Sequence, residues 1–163
     1  MAIQLAPISP TDGRAIVELF NHYVENSFAA FPEHPLPQAV FEQLLEEIGD
    51  WPTLTAKTPE GRLLGFAMLR PHNPFPTCAH VAEITYFVAP DCTGKGIGSR
   101  MLAELETRAR KIGICIFLAA ISAPNEGSLA FHRKHGFVEV GRLREVCIKR
   151  GTPFDVVWMQ KML

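Results

Sequence analysis

No two cysteines in this chain stand close enough to clasp a metal. Cys78, Cys92, Cys115 and Cys147 are spread without a C-x-x-C pair or a Cys/His cluster. A zinc-type site is therefore not expected, and free thiols in a reducing compartment are. Excess charge is lacking as well: sixteen Lys and Arg against seventeen Asp and Glu leave a net charge of −1, with six His beside them. Without a positive surplus there is no general field to hold nucleic acid or an anionic membrane, although a local basic patch can still bind a small anion. The longest strongly apolar run, Ile114 to Ile121, is eight residues, far below the roughly 18 needed to span a bilayer. The opening MAIQLAPISP has neither the basic start nor the apolar core of a secretory signal, so a cytoplasmic location is expected. Repeats, low-complexity stretches and linkers are also missing. What remains is an ordinary globular composition, 163 residues with 47% hydrophobic and 20% charged. That argues against disorder and predicts one domain over residues 1–163.

Thr11-Asp12 offers an N-cap, and Ile16, Leu19, Phe20 and Tyr23 follow at helical spacing, predicting a helix over about 12–25. NSFAAFPEHPLP carries three prolines and reads as a structured loop. Phe41, Leu44, Leu45 and Ile48 then form one stripe after Pro37, giving a second helix near 37–49. Past Trp51-Pro52 the pattern turns to strand. Residues 53–57 and 62–70 flank the turn-forming TPEG and read as a hairpin. A second Pro-rich loop, RPHNPFPTC, leads to a strand over 80–88, a glycine-rich turn, and a helix over 96–112 closed by Gly113. Ile114 to Ile121 reads as a buried strand and Pro124 to Lys134 as a short helix. The tail, 137–163, reads as two or three strands broken at Arg150-Gly151. The strand, helix, strand run from 80 to 121 is long enough for a right-handed crossover joining parallel strands.

The informative segment is the turn, VAPDCTGKGIGS from Val88 to Ser99. Alternating glycines between a strand and a helix let backbone amides converge on a phosphate at the helix N-terminus. A Walker A loop fails on spacing, because Ala89 stands where its first glycine belongs and Gly96 follows Lys95. A dinucleotide fingerprint needs Gly or Ala where Ser99 sits, and an acidic residue near the end of the next strand, where Ile114 to Ser122 has none. A tight turn with no ligand is the plain alternative. The third phosphate-binding class is the acetyl-coenzyme A loop of the GNAT N-acetyltransferases, which Gly94, Gly96 and Gly98 resemble, with Cys92 and Thr93 replacing its usual basic start.

The flanking segments make the resemblance specific. AEITYFVAP, APNEGSLAFHRKHGF and EVGRLREVCIKRGTPFDVVWMQKML stand in order around the loop. Together they closely resemble the branch of the GNAT superfamily that acetylates the amine of phosphinothricin and methionine sulfoximine. The likeness is strong over 80–163 and weaker over 1–79, where FNHYVENSFAAF is similar to the family's substrate-side opening. It implies an α/β GNAT fold, a twisted mixed sheet whose two central parallel strands splay apart, flanked by helices. It implies acetyl-CoA in that splay, with main-chain contacts from Tyr86, Phe87 and Val88. The pyrophosphate would lie on Gly94, Lys95, Gly96, Ile97, Gly98 and Ser99, with further contacts from Asn125 and Ser128. No metal is implied, nor a nucleic-acid or membrane partner; the partner is a small-molecule amine, and a homodimer is a candidate assembly.

Glu83 is the leading catalytic candidate. It interrupts an apolar and aromatic strand, where an unpaired carboxylate is costly, and the resemblance places it beside the acceptor amine. A carboxylate there attracts the substrate ammonium and accepts its proton, directly or through water; a salt bridge at a strand edge is the structural alternative. His132 stands where many relatives carry the tyrosine that protonates the departing thiolate, and a packing histidine is its alternative. Arg70 ends the hairpin strand and suits a substrate carboxylate. Phe31 belongs to the implied substrate side, and His72 and His80 are further candidates. The sequence is read as direct transfer from acetyl-CoA to an amine. A polyamine, an aminoglycoside or a peptide N-terminus are the other acceptors considered, and an acyl-CoA-binding sensor without catalysis is the rival class. A covalent route through Cys78 or Cys92 lacks a His and acid partner in the sequence.

Overall fold

A computed structural model describes residues 2–163 as an α/β structure. The strands are β1 (Gln4–Ala6), β2 (Thr53–Lys57), β3 (Leu63–Pro71), β4 (Val81–Val88), β5 (Ile116–Ser122), β6 (Val138–Lys149) and β7 (Thr152–Met162). The helices are α1 (Gly13–Asn26), α2 (Gln38–Ile48), α3 (Ile97–Lys111) and α4 (Glu126–Lys134). The strands form one seven-stranded sheet in the order β1-β2-β3-β4-β5-β7-β6. Every neighbouring pair is antiparallel except β4 with β5.

The sheet is covered on both faces, and the residue pattern explains how. In α3 the apolar positions Ile97, Met101, Leu102, Leu105 and Ala109 recur at helical spacing and are all buried. They pack with Leu54, Leu64, Ile84 and Phe117 in the larger core. On the opposite face Ile16 of α1 and Phe41 and Ile48 of α2 close over Phe66 and Met68 of β3. Strand β3 is therefore sandwiched, which is why Leu64 to Leu69 reads as an unbroken apolar run and not as an alternation. Truncating a fully buried stripe residue such as Leu105 to Ala removes about 2–5 kcal/mol of stability.

Two details differ from the sequence reading, and a third, the tail, agrees with it. β1, an edge strand of three residues, is too short to show a period. The tail is two long strands, joined where Arg150 and Gly151 both take positive φ. Asp12 does precede α1, but its carboxylate turns away from the helix. It accepts from Ser9 N–H at 2.9 Å and pairs with Lys57, and these partners outweigh burial and hold it below the ordinary carboxylate range.

The feature that builds a site is the incomplete β4–β5 ladder. The two strands pair only from Val81, Ala82 and Glu83 to Ile116, Phe117 and Leu118. Beyond Glu83 they separate, while β4 stays fully paired to β3 on its other edge. Ala89 N–H donates to Leu64 O, so by strand alternation the main-chain groups of Glu83, Thr85 and Phe87 face β3. Those of Ile84, Tyr86 and Val88 face the opening.

Candidate active site

The opening between β4 and β5 continues into a cavity of about 1240 Å³ that reaches from the glycine-rich turn to the α1–α2 side. Its floor on one face of the sheet follows the β3–β4 register. The pair Arg70/Glu83 comes first, then Met68/Thr85, then Phe66/Phe87. Residues two apart on a strand share a face, so Glu83 to Phe87 covers about 13 Å of floor. Beyond it, the ring of Phe20 meets Phe87 edge-on at 5.1 Å, and Phe66 stacks on Phe87 at 5.6 Å.

At the charged end, the carboxylate of Glu83 is held from two sides and its side chain is only 15% exposed. Arg70 donates from Nε and Nη2 to one carboxylate oxygen, at 3.0 and 2.5 Å. His72 Nδ1 lies 2.9 Å from the other oxygen, its ring edge-on to Trp158. The sequence thus brings Arg70 and Glu83 together as expected for neighbours across a hairpin, but as a pair, with Arg70's free donors turned outward. His72 joins them from the Pro-rich loop. His80 is exposed, lies at the entry to β4, and is not part of the cavity wall.

At the other end Gly94 and Gly96 adopt φ of 74° and 80°, and a Cβ on either would enter open space. Gly96 is the N-cap of α3 with no side chain closing it. The first amides of α3, at Ile97, Gly98 and Ser99, therefore have no intrahelical acceptor and sit at the positive end of a 15-residue helix. Such a cradle fits a pyrophosphate. Gly98 has a second reason to be glycine: its Cβ would lie 3.3 Å from the Phe131 ring. Lys95 does not point inward; its ammonium donates to Asp91 O at 2.7 Å. Ser99 Oγ is 2.9 Å from His135 Nε2, a contact the sequence reading did not include.

Between the two ends, the edge groups of Tyr86 and Val88 face the splay, whereas Phe87 spends its main chain on β3 and contributes its ring. Val88 O already accepts from Tyr23 Oη of α1 at 2.6 Å. Asn125 caps α4 by accepting from Ser128 N–H at 3.2 Å. One turn later His132, 3% exposed, has both ring nitrogens occupied. Nδ1 lies 2.7 Å from Ser128 O, an acceptor only, so Nδ1 carries the proton. Nε2 is then the acceptor for Tyr86 O–H at 2.5 Å, the two rings lying nearly parallel. Burial pulls the His132 pKa down to about 4 and pushes the Tyr86 phenol well above its ordinary range. His132 is therefore a neutral imidazole near pH 7, and the expected imidazolium acid does not fit this arrangement.

The roof is the loop between α1 and α2. Phe28 and Phe31 pack against Phe154 at 5.2 and 5.9 Å and line the cavity. Two pins hold the loop. Asn21 bonds both N–H and C=O of Leu36, and the buried ammonium of Lys149 donates to Ser27 O and Ala30 O, 2.8 Å each. Lys149, Tyr23 and Asn21 are not among the site residues expected from sequence; a lysine just before a β-turn carries no sign of burial. Among the described residues no group of His, Cys, Asp and Glu is arranged to hold a metal ion. None of the described helices is long and apolar enough to cross a membrane.

A family model described as the acetyltransferase (GNAT) family matches residues 16–137. Phosphinothricin N-acetyltransferase of Streptomyces coelicolor is 32% identical, the match covering 99% of this chain and 96% of that protein. L-methionine sulfoximine/L-methionine sulfone acetyltransferase of Pseudomonas aeruginosa is 30% identical over 98% of this chain and 94% of its own. Among solved structures, a ribosomal-protein-alanine N-acetyltransferase from Brucella melitensis superposes with a TM-score of 0.91 at 34% identity, covering 98% of this chain and 99% of that one. A phosphinothricin acetyltransferase from Sinorhizobium meliloti in complex with AcCoA gives 0.93 at 27% identity, covering 100% and 89%.

Proposed function

The chain belongs to the GNAT acetyltransferase family and is an acetyl-CoA-dependent N-acetyltransferase; on that premise we propose that its acceptor is the primary amine of a small amino acid or amino-acid analogue. The observation that carries this reading is one continuous cavity with an amide cradle at one end and a clamped carboxylate at the other. Amides from Gly94 to Ser99 would hold the pyrophosphate of acetyl-CoA, and the edge groups of Tyr86 with the N–H of Val88 would hold its pantetheine, Val88 O being taken by Tyr23. The thioester would then face Glu83.

Transfer needs a neutral amine. Glu83 attracts the acceptor ammonium and takes one of its protons, directly or through water, and the nitrogen lone pair attacks the thioester carbon. The C–S bond breaks as the tetrahedral intermediate collapses, and CoA leaves as a thiolate. A thiol pKa of about 8.5 lets that thiolate take a proton from water at neutral pH without a dedicated acid. His132 is a positioning residue in this scheme, fixing the Tyr86 ring along the pantetheine path. The outward donors of Arg70 take the acceptor's carboxylate, and Phe31 and Phe28 cover its side chain.

The test is a turnover screen over amino acids, polyamines and aminoglycosides, read as free thiol release, with acetyl-CoA thermal shifts in parallel. A shift with acetyl-CoA and release with amino-acid acceptors is the expected result. Release with polyamines alone would move the acceptor class, and no shift with acetyl-CoA would remove the reading.

A further inference from the structure

Beyond the Arg70/Glu83 pair the acceptor end of the cavity has no charge and almost no free polar group. Its walls there are Val17 and Phe20 of α1, Val40 and Leu44 of α2, and Phe66 and Met68 of β3, under the rings of Phe28 and Phe31. The cationic side chains that line the whole cavity, among the described residues, are Arg70 and Lys134, apart from the neutral His132. Lys134 ends α4 beside His135, which is bonded to Ser99 of the phosphate cradle, so it belongs to the opposite end.

The hydroxyls are committed as well. Tyr23 donates to Val88 O, Ser27 donates to Tyr23 O at 2.8 Å, and Tyr86 donates to His132. Thr85 on the floor and Ser122 of β5, which shares its face of the sheet, are the lining hydroxyls without a partner among the hydrogen bonds of the described residues. Behind the roof, Lys149 is 1% exposed and gives its hydrogen bonds to Ser27 O and Ala30 O, and the Arg150 guanidinium donates to Val24 O and Glu25 O.

From this we infer that the acceptor is an α-amino acid, or close analogue, whose side chain is uncharged and apolar, and that a second acidic group on it is rejected. The inference rests on the acetyl-transfer reading and narrows it. One carboxylate has a partner in the outward donors of Arg70. A second anion would be buried against Phe, Leu, Val and Met with nothing to pair it, which is strongly unfavourable. An aromatic or branched aliphatic side chain instead gains from every wall it touches. Leu44 and Val40 are the specificity-determining positions, because both line the acceptor end of the cavity where the side chain of the acceptor lies.

The experiment compares kcat/KM for L-phenylalanine and L-leucine with that for phosphinothricin and L-glutamate, with acetyl-CoA thermal shifts run alongside. The neutral pair should exceed the anionic pair by about 100-fold or more. Leu44→Arg should narrow that ratio at least about tenfold by giving the second acid a partner. Val40→Arg, at a position 38% exposed, makes the same test without touching the core. Phosphinothricin or glutamate turned over as well as the neutral pair would overturn the inference while leaving acetyl transfer intact. So would acetyl-CoA binding with none of the four amines acetylated. Absence of any acetyl-CoA shift would overturn the acetyl-transfer reading and this inference with it.

Discussion

Glu83 keeps its carboxyl group between a guanidinium and an imidazole, so it is presented to the cavity already oriented. Its replacement by Gln preserves size and one acceptor but removes the charge and the basicity. We expect Glu83→Gln to lower kcat about 10²- to 10⁴-fold near neutral pH, and part of that loss to return as pH rises and the free amine deprotonates unaided. A pH–rate profile of both proteins on one acceptor checks this; an unchanged kcat would make the carboxylate a structural partner of Arg70. His132 makes a different prediction, on stability. Its pKa is about 4 when folded against an ordinary 6.5, so the unfolded chain binds more protons between those values. The contribution is fully present above about pH 6.5 and is lost as pH falls toward 4, amounting to about 3 kcal/mol. His135 is also lowered by burial and adds to the same slope. Thermal melts from pH 4 to 7 should therefore show His132→Gln, less stable overall, losing less of its stability on acidification than the wild type does. Parallel curves would mean the imidazole is not buried neutral.

At the scale of elements, the cofactor end depends on a turn and the acceptor end on a pinned loop. Gly96→Val puts a side chain into the cradle and strains a φ of 80°, so acetyl-CoA affinity should fall by at least tenfold. Gly113 has a φ of 82° after α3 and away from the cavity, so Gly113→Val carries the same strain without the block. Calorimetry should show weakened binding for the first variant and near-normal binding for the second. Lys149→Met leaves the carbonyls of Ser27 and Ala30 without their donor, costing about 1–3 kcal/mol. Its signature is a raised KM for the acceptor with acetyl-CoA affinity unchanged, measured by steady-state kinetics. These elements also show what could be read from sequence. The α3 stripe, the β2–β3 hairpin and the glycine turn announce themselves because period and turn chemistry are local. So does Glu83, a lone charge on an apolar strand. The second partner of Glu83, His72 from the Pro-rich loop, the burial of Lys149 and the Tyr86–His132 bond do not, because each depends on how separate segments pack together. The turn of the Lys95 ammonium onto Asp91 O is not legible for a related reason: in a loop, nothing in the residue order says where a flexible side chain turns.

Across the whole molecule, one break in one ladder organises everything else. Because β4 and β5 part after Glu83, the same strand presents free main-chain edges toward the splay and a carboxylate on its face. Cofactor and acceptor thus meet at a single strand, the cofactor reached from the α3–α4 side and the acceptor from the α1–α2 side. The central claim is that these two ends are separable in binding and joined in chemistry. The most direct measurement is acetyl-CoA titration calorimetry on the wild type, Gly96→Val and Glu83→Gln, paired with thiol-release turnover on one amino-acid acceptor. The account predicts that Gly96→Val loses affinity for acetyl-CoA, while Glu83→Gln binds it as the wild type does and turns over at least about 100-fold more slowly. Normal acetyl-CoA affinity in folded Gly96→Val, or wild-type turnover in Glu83→Gln, would contradict it.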